Sequence, residues 1–537
     1  MSSQVADPEI FRRLDEVTKL YGETNNKLVE LTKILDTRRV DLEGAIKDKT
    51  EALKWSSFQP QYLRDFIEEP YVVEPFRIGK AGKVLEWRIY VPKFVRFSAG
   101  RLERVTSSYN VFSITQYHRF FGDVPEELKD RFPELPYDVK VHDGLLVVPA
   151  EFQEEAWSRF KEHLQGRTGT PGIIRIKPKD EWSLIAQIIE EGRLPFEPKP
   201  VDPVDLRPRS VEGFALQEGW EERDYQLDAD RVFMEYGAIG VYWPFGTGKS
   251  QWATDWLDRL KGHKVIIAGK DSTLREQWVD RLLKMPPDRR SECHVFILQN
   301  REKIEELVKR LRKEGKQITL IIFDECHHLP APTFMWLSTI DAKYRIGLTG
   351  SPYREDGHIE YIMALTGMPH GFAWTRFVTS GVISLAQVQV HVVKEWRQKL
   401  AILDDLLKRD LGKTMIFCDS LDLGDKIAKK YGLEWVHGET KSRLEIIRRN
   451  EVVVVSRVAD EGISVSELDT LIEIDFMGGS RAQEMQRAGR LSHRAIQPDK
   501  EPAVHHVLMT EEEVDKYGKR LLSFYDKGFK VDMLYGI

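Results

Sequence analysis

Apolar and polar positions recur with three different periods along the chain. Leu14, Tyr21, Leu28, Leu35 and Leu42 stand seven residues apart, Val17, Leu31 and Ala45 occupy +3 positions, and no proline falls between Glu9 and Gln59. That spacing lays one apolar seam along a helix, as a coiled coil or a helical hairpin requires. Thr24 and Arg38 break the seam, while Gly22 and Gly44 weaken the helix. Packing on its own chain and self-association, or docking of a protein partner, are therefore both open for residues 1–58. From Tyr71 the period falls to two. Tyr71–Ile78 and Val84–Val91 flank a Gly-Lys-Ala-Gly-Lys turn, and Val139–Val141 and Leu145–Val148 flank His142-Asp143-Gly144, a favoured tight turn. A helix is expected over Glu151–Leu164, so residues 59–193 read as an α+β accessory domain.

Five prolines follow within fourteen residues: Pro195, Pro198, Pro200, Pro203 and Pro208. Such a stretch ends helices and central strands and is expected as a semi-rigid linker over residues 194–210. Beyond it, short apolar runs alternate with amphipathic segments. Strands are expected at Ala238–Tyr242, Val265–Ala268, Ile318–Phe323 and Tyr344–Leu348, with helices over Gln251–Leu260, Leu274–Leu283 and Ile304–Arg312. The alternation resumes with strands at Thr414–Phe417, Val452–Val455 and Thr470–Ile474. This pattern builds parallel sheets with helices on both faces, hence two successive α/β domains over residues 211–385 and 386–537.

Composition narrows the class. The 537 residues are 41% hydrophobic and 31% charged, with a formal net charge of -6, which excludes a protein that coats nucleic acid by charge alone. Only three cysteines are present, which fits a reducing compartment, and the first ten residues are polar and mixed, unlike a secretory signal. Apolar runs stop after four or five residues, so no membrane association is expected. The expectation is a soluble intracellular protein: cytoplasmic, nucleoid-associated in a prokaryote or virus, nuclear in a eukaryote.

Three signals carry chemistry. The first is Trp243-Pro244-Phe245-Gly246-Thr247-Gly248-Lys249-Ser250, set between a strand and a helix. Amides of such a loop can wrap a phosphate at a helix N-terminus, with Lys249 reaching the β- and γ-phosphates and the Ser250 hydroxyl holding Mg²⁺. The strict motif wants Gly where Trp243 stands. The second is Asp324-Glu325 at the end of an apolar strand, about 75 residues after Lys249. Asp324 can hold the same Mg²⁺, and Glu325 can orient and deprotonate water. Cys326-His327-His328 has no second ligand pair at zinc spacing. The third is Gln483 to Arg494, whose arginines could reach a γ-phosphate from the second α/β domain or simply form an exposed charged face.

Together these segments resemble superfamily 2 helicases, most closely the XPB-like branch. Arg223-Asp224-Tyr225-Gln226 looks like the glutamine motif that reads adenine, and Trp243 to Ser250 is similar to that branch's Leu-Pro-x-Gly-x-Gly-Lys-Ser/Thr loop. Leu274-Arg275-Glu276-Gln277-Trp278 resembles a segment that contacts a nucleic-acid strand. Asp324 to His327 resembles the DEAD/DEAH box, and Thr349-Gly350-Ser351 the coupling motif, with Gly-Ser in place of Ala-Thr. Arg354-Glu355-Asp356 resembles the branch's Arg-Glu-Asp element; Asp460 and Gly462 fall in its fifth motif. Gln486, Arg490 and Arg494 fall in its sixth, whose last arginine position is His493 here. The resemblance covers about residues 220–510.

The resemblance implies two RecA-like domains binding ATP and Mg²⁺, with Glu325 as base and Arg490 as an arginine finger. It implies a DNA helicase or translocase, moving 3′ to 5′ in DNA repair, replication or recombination. A single strand would lie between the domains, with forked or branched DNA as substrate. Candidate backbone contacts are Lys270, Ser272, Arg275, Ser420, Thr440 and Lys441. Two rivals stand beside it: a double-strand translocase or fork-remodelling motor of the UvsW type that unwinds little, and a motor subunit that recruits a nuclease through its N-terminal half. Residues 93–121 interleave basic and aromatic side chains, which could stack bases or be core, and they sit where the branch carries a DNA-sensing domain.

Overall fold

Runs of branched aliphatic residues bounded by glycine and charged turns form two fully parallel sheets, as buried strands flanked by helices should. The computed structural model describes residues 12–13, 15–20, 22–23, 25–27, 71–78, 84–92, 99–106, 109–120, 124, 126–207, 223–270, 272–350, 359–371, 374–460, 468–478, 480–491 and 502–536. The chain divides into two compact units, one of Met1–His118 with Asp123–Leu128, the other of Arg119–Gly122 with Lys129–Ile537.

In the first unit the described residues between 12 and 27 are helical, with Arg12 and Glu16 paired at 2.5 Å. The seam positions Leu14, Tyr21, Leu28, Leu35 and Leu42 lie outside the described residues. The expected hairpin is present: β1 (Val72–Ile78) pairs antiparallel with β2 (Val84–Pro92), and β3 (Arg101–Val105) and β4 (Tyr109–Thr115) complete a sheet of order β1-β2-β4-β3. Phe112 and Tyr117 are buried and so are core, not stacking platforms.

In the second unit, β5 (Lys140–His142), β6 (Leu145–Val147), β7 (Leu164–Arg167) and β8 (Ile173–Ile176) form a small antiparallel sheet. Its β5–β6 turn has Asp143 at φ 49° and Gly144 at φ 74°, the two positive values that a tight hairpin demands. The α+β region expected over 59–193 is thus two small sheets in different units. Helix α1 (Glu181–Glu190) packs on the motor helix Ile359–Thr366, and Arg345 stacks on Trp182 at 4.9 Å.

The proline-rich stretch is not a free linker through residue 207. Val201 is buried in the motor core, and its N–H donates to Met234 O at 2.8 Å. Arg207 donates to Leu260 O and forks onto Glu292 at 2.8 and 2.9 Å. Prolines exclude helix and sheet here, as expected, but leave carbonyls and intervening side chains free to dock.

The first motor sheet comprises β9 (Ala238–Tyr242), β10 (His263–Ala268), β11 (Cys293–Phe296), β12 (Ile318–Asp324), β13 (Ala342–Leu348) and β14 (Met368–Gly371), in the order β11-β10-β12-β13-β9-β14. The second comprises β15 (Gln387–Val393), β16 (Thr414–Phe417), β17 (Glu434–Val436), β18 (Val452–Val455), β19 (Thr470–Glu473), β20 (Val504–Thr510) and β21 (Val531–Tyr535), in the order β17-β18-β16-β19-β20-β15-β21. The helices that matter for the site are α2 (Asp224–Tyr236), α3 (Lys249–Arg259), α4 (Ser272–Leu283), α5 (Arg301–Lys313), α6 (Ile359–Thr366) and α7 (Arg481–Gly489). Helix α5 shows the rule for all of them: Ile304, Leu307 and Leu311 face the core, and basic residues close its last turn. Among the described residues no helix is long and apolar enough to cross a membrane.

Candidate functional site

Parallel register brings the separate sequence signals to one sheet edge. Asp324 pairs with Leu348, and Leu348 with Val241, so the carboxyl ends of β12, β13 and β9 stand level. The phosphate loop leaves β9 two residues beyond Val241, Thr349 leaves β13, and Asp324-Glu325 ends β12. Ligands bind at this edge in open α/β sheets because helix N-termini and loop amides converge there.

The loop turns at Gly246 (φ 77°) and Gly248 (φ 88°), and Gly248 opens α3. Trp243, the departure from the strict motif, is fully buried and donates from its indole to His370 on β14 at 2.9 Å, anchoring the loop's base. Thr247 is buried and its hydroxyl donates to Pro244 O at 2.7 Å. Lys249 folds onto the loop, donating to Trp243 O and Pro244 O at 2.9 Å each. Burial lowers its pKa to about 8, against the pull of Glu325 and Asp324. Ser250 stands half-buried in the first turn of α3.

Arg223 and Gln226 start α2 beside the loop. The Arg223 amide donates to the Gln226 carboxamide at 3.0 Å, and its guanidinium donates to Tyr225 OH. Tyr225 in turn donates to Thr247 O at 2.7 Å, so this segment braces the phosphate loop directly. Tyr225 is a bracing residue that the sequence motif did not single out.

Asp324 is buried and its pKa rises to about 6, first from burial and then from Glu325. Trp278 on α4 opposes that shift by donating its indole N–H to Asp324 at 2.8 Å. Trp278 is 1% exposed, so the strand contact expected of it does not occur; Gln277 beside it is half-buried. Glu325 adopts φ 50°, a left-handed conformation rare for a non-glycine, and such strain concentrates at functional sites. His327 lies 3.2 Å from Glu325 and 3.0 Å from the Thr349 hydroxyl, which ties the second signal to the coupling segment. Ser351, Arg354, Glu355, Asp356, Gly462 and Arg494 lie outside the described residues.

In the second domain Asp460 accepts from Gln483 and from Arg487, both at 2.6 Å. Its two carboxylate oxygens therefore hold the fifth-motif segment to α7. Arg487 also reaches Asp419 and Glu473 at 2.5 Å, and all three side chains are fully buried. Arg520 joins through Glu473 at 2.8 Å and through Glu484, and His505 through Glu473 at 2.8 Å. Burial by itself would raise the Glu473 carboxyl, but Arg487 and Arg520 hold it well below the usual range. This network orients α7, and Asp419, Glu473 and Arg520 carry no local sequence signal that could have announced it. Gln486 and Arg490 are buried at the end of α7. Gly489, just before Arg490, lies against Phe245 of the phosphate loop.

Among the candidate strand contacts, Lys270, Ser272, Arg275 and Lys441 are exposed, and Ser420 and Thr440 are half-buried. Arg443 donates to Thr273 on α4 at 3.4 Å, placing the loop around Thr440 beside the start of α4.

Two family models match the chain: "Type III restriction enzyme, res subunit" over residues 206–354 and "Helicase conserved C-terminal domain" over residues 398–495. The "Putative DNA 3'-5' helicase Rad25" of Haloarcula marismortui is 29% identical over 310 residues, half of each chain. The "DNA 3'-5' helicase XPB" of Kineococcus radiotolerans is 26% identical over 423 residues, 70% of this chain and 75% of that one. The chain thus spans about half the length of the first of these relatives. A Saccharomyces cerevisiae Dbp5 structure bound to RNA and ADP BeF3 is similar at 13% identity, covering 63% of this chain and 95% of that one, with a TM-score of 0.48.

Two tandem parallel sheets with this loop, carboxylate pair and arginine helix, together with both family models, support a helicase of superfamily 2. Within that superfamily the chain is most similar in these matches to helicases named XPB and Rad25.

Proposed function

We propose that this chain is an ATP-dependent DNA helicase or translocase that moves 3′ to 5′ and acts in DNA repair, replication or recombination. The observation that carries the reading is the level alignment of Lys249, Asp324-Glu325 and Thr349 at one sheet edge, with the helix bearing Arg490 seated on the same loop. The residues fit a magnesium nucleoside triphosphate. Two positive-φ glycines shape the loop at a helix N-terminus, and a half-buried lysine is held on loop carbonyls it can exchange for phosphate oxygens. Ser250 and Asp324 offer the hard oxygen donors that Mg²⁺ prefers.

Bound ATP and Mg²⁺ would supply the transferable phosphoryl group and the charge that steadies it. Within the chain, Pro244, Gly246, Thr247 and Gly248 shape the cradle, while Arg223 and Gln226 brace it and face the base. Glu325 takes the proton of the attacking water. Arg490 neutralises developing charge from the second domain, with Gln486 beside it. Arg494 would extend that arginine set, and Asp460 with Gly462 would carry second-domain movement to the nucleotide. His327 passes loop occupancy to Thr349, and Ser351 with Arg354, Glu355 and Asp356 would continue that path to DNA. Lys270, Ser272, Arg275 and Lys441 would grip the sugar-phosphate backbone, a contact largely independent of sequence and weakened by salt.

Lys249→Ala and Glu325→Gln should each abolish DNA-stimulated ATP hydrolysis. Undiminished hydrolysis in either variant would overturn the mechanism. Strand displacement on forked DNA, compared with blunt duplex, separates unwinding from translocation without unwinding.

A further inference from the structure

Phe245 stands at the crown of the phosphate loop, and its ring is wedged between two glycines from different motifs. A Cβ placed on Gly350 would lie 2.5, 2.6 and 2.8 Å from the Cε1, Cζ and Cδ1 atoms of that ring. A Cβ on Gly489 would lie 2.5, 2.6 and 2.9 Å from its Cδ2, Cγ and Cβ. Neither glycine has a positive φ, so backbone conformation does not require glycine at either position. What both supply is room for the ring. This gives a physical reason for Gly350, where the coupling motif of the branch usually has alanine: the larger loop residue and the smaller coupling residue compensate.

The neighbours of the two glycines make the contact consequential. Gly350 follows Thr349, which meets His327, and Gly489 precedes Arg490. The ring also lies 6.4 Å from Trp374, which approaches Phe529 of the second domain at 6.3 Å. The Lys249 ammonium stands 5.2 Å from the ring centroid. One side chain therefore touches the phosphate-binding lysine, the coupling segment and the residue before the arginine.

We propose that Phe245 is a positioning residue for hydrolysis: its ring seats the helix bearing Arg490 on the phosphate loop and sets the reach of that arginine. The inference rests on the ATPase reading above. Removing an interaction that serves only the transition state lowers kcat without weakening substrate binding.

The test uses the full chain with saturating DNA, reading kcat and KM for ATP, binding of a fluorescent ADP analogue, and thermal melting. Phe245→Ala should lower kcat about tenfold or more while KM and ADP affinity stay within about threefold. Phe245→Leu, which keeps bulk, should recover part of the loss. Gly350→Ala should lower kcat in the parent background, and adding Phe245→Ala should rescue it by about threefold or more, a non-additivity that contact predicts. Wild-type kcat in Phe245→Ala, or a Gly350→Ala defect of equal size with and without Phe245, would overturn the proposal. If melting shows that Gly350→Ala does not fold, the kcat values of Phe245→Ala and Phe245→Leu decide. An Arg490→Ala variant with full kcat would also overturn the proposal, whereas a parent chain without ATPase would instead overturn the ATPase reading.

Discussion

The indole of Trp278 donates to Asp324 at 2.8 Å where burial and the neighbouring Glu325 both favour protonation of that carboxyl. A hydrogen bond to a buried charged group contributes about 1.5–3 kcal/mol. Trp278→Phe keeps the ring in the core and removes only the N–H. Its DNA-stimulated ATPase should fall about tenfold or more, since 1.4 kcal/mol corresponds to one decade, and half-saturation should need more Mg²⁺. Normal ATPase and Mg²⁺ dependence in that variant would show the bond to be incidental. The residue itself was legible from the Leu274–Trp278 segment, but its role was not. A strand contact and a core indole have the same letter, and only burial separates them. Lys249, Asp324 and Glu325 were legible because their spacing between strand and helix is dictated by phosphate chemistry. Arg487 stood in plain view beside Arg490, yet its task as the hub of three carboxylates depends on Asp419, Asp460 and Glu473, each far from it in sequence.

Among the elements, β9, β16 and β18 fall on the expected residues, because short valine- and isoleucine-rich runs between polar segments have few alternatives to a buried strand. The edge strands β11, β14, β17 and β21 were not anticipated. Met368-Pro369-His370-Gly371 has neither alternation nor branched residues, and it becomes a strand because β9 offers it an open edge. The proline-rich stretch differs for a related reason. Proline content excludes regular structure but says nothing about docking, and Arg207 finds Glu292 85 residues away. Arg207→Ala should cost about 1.5–3 kcal/mol of motor stability and open the 194–207 segment to proteolysis. Limited digestion at a rate equal to the parent's would show the strap to be held without that fork.

At the scale of the molecule, burial of charge sets how the fold answers acid. Burial lowers the His294 pKa from the ordinary histidine value of 6.5 to about 4, with His263 and Arg310 adding to it, and lowers that of His506 to about 3. In the unfolded chain both titrate near 6.5, so below that pH the unfolded state binds protons that the native state refuses. Stability therefore rises with pH between about 4 and 6.5 and is lost on acidification through that window. Melting temperature should fall steadily from pH 6.5 to pH 4, and His294→Gln should flatten the slope. A melting curve independent of pH in that range would contradict the burial argument. The net charge of -6 changes meaning at this scale too. Part of the acidic excess is buried, as where Asp419, Asp460, Glu473 and Glu484 meet Arg487 and Arg520, while Lys270, Arg275 and Lys441 are exposed.

Local chemistry and periodicity were enough to establish two α/β domains, their phosphate loop, their carboxylate pair and the family they resemble. Each of those depends on neighbours within a few residues: apolar runs, glycines that turn a loop, a carboxylate at a strand end. The level register of Val241, Asp324 and Leu348, the turning inward of Trp278, the hub at Arg487 and the wedge of Phe245 between Gly350 and Gly489 depend on residues 14 to 244 positions apart. Such pairings exist only once strands choose partners and side chains compete for the same interior volume, so tertiary structure alone could decide them.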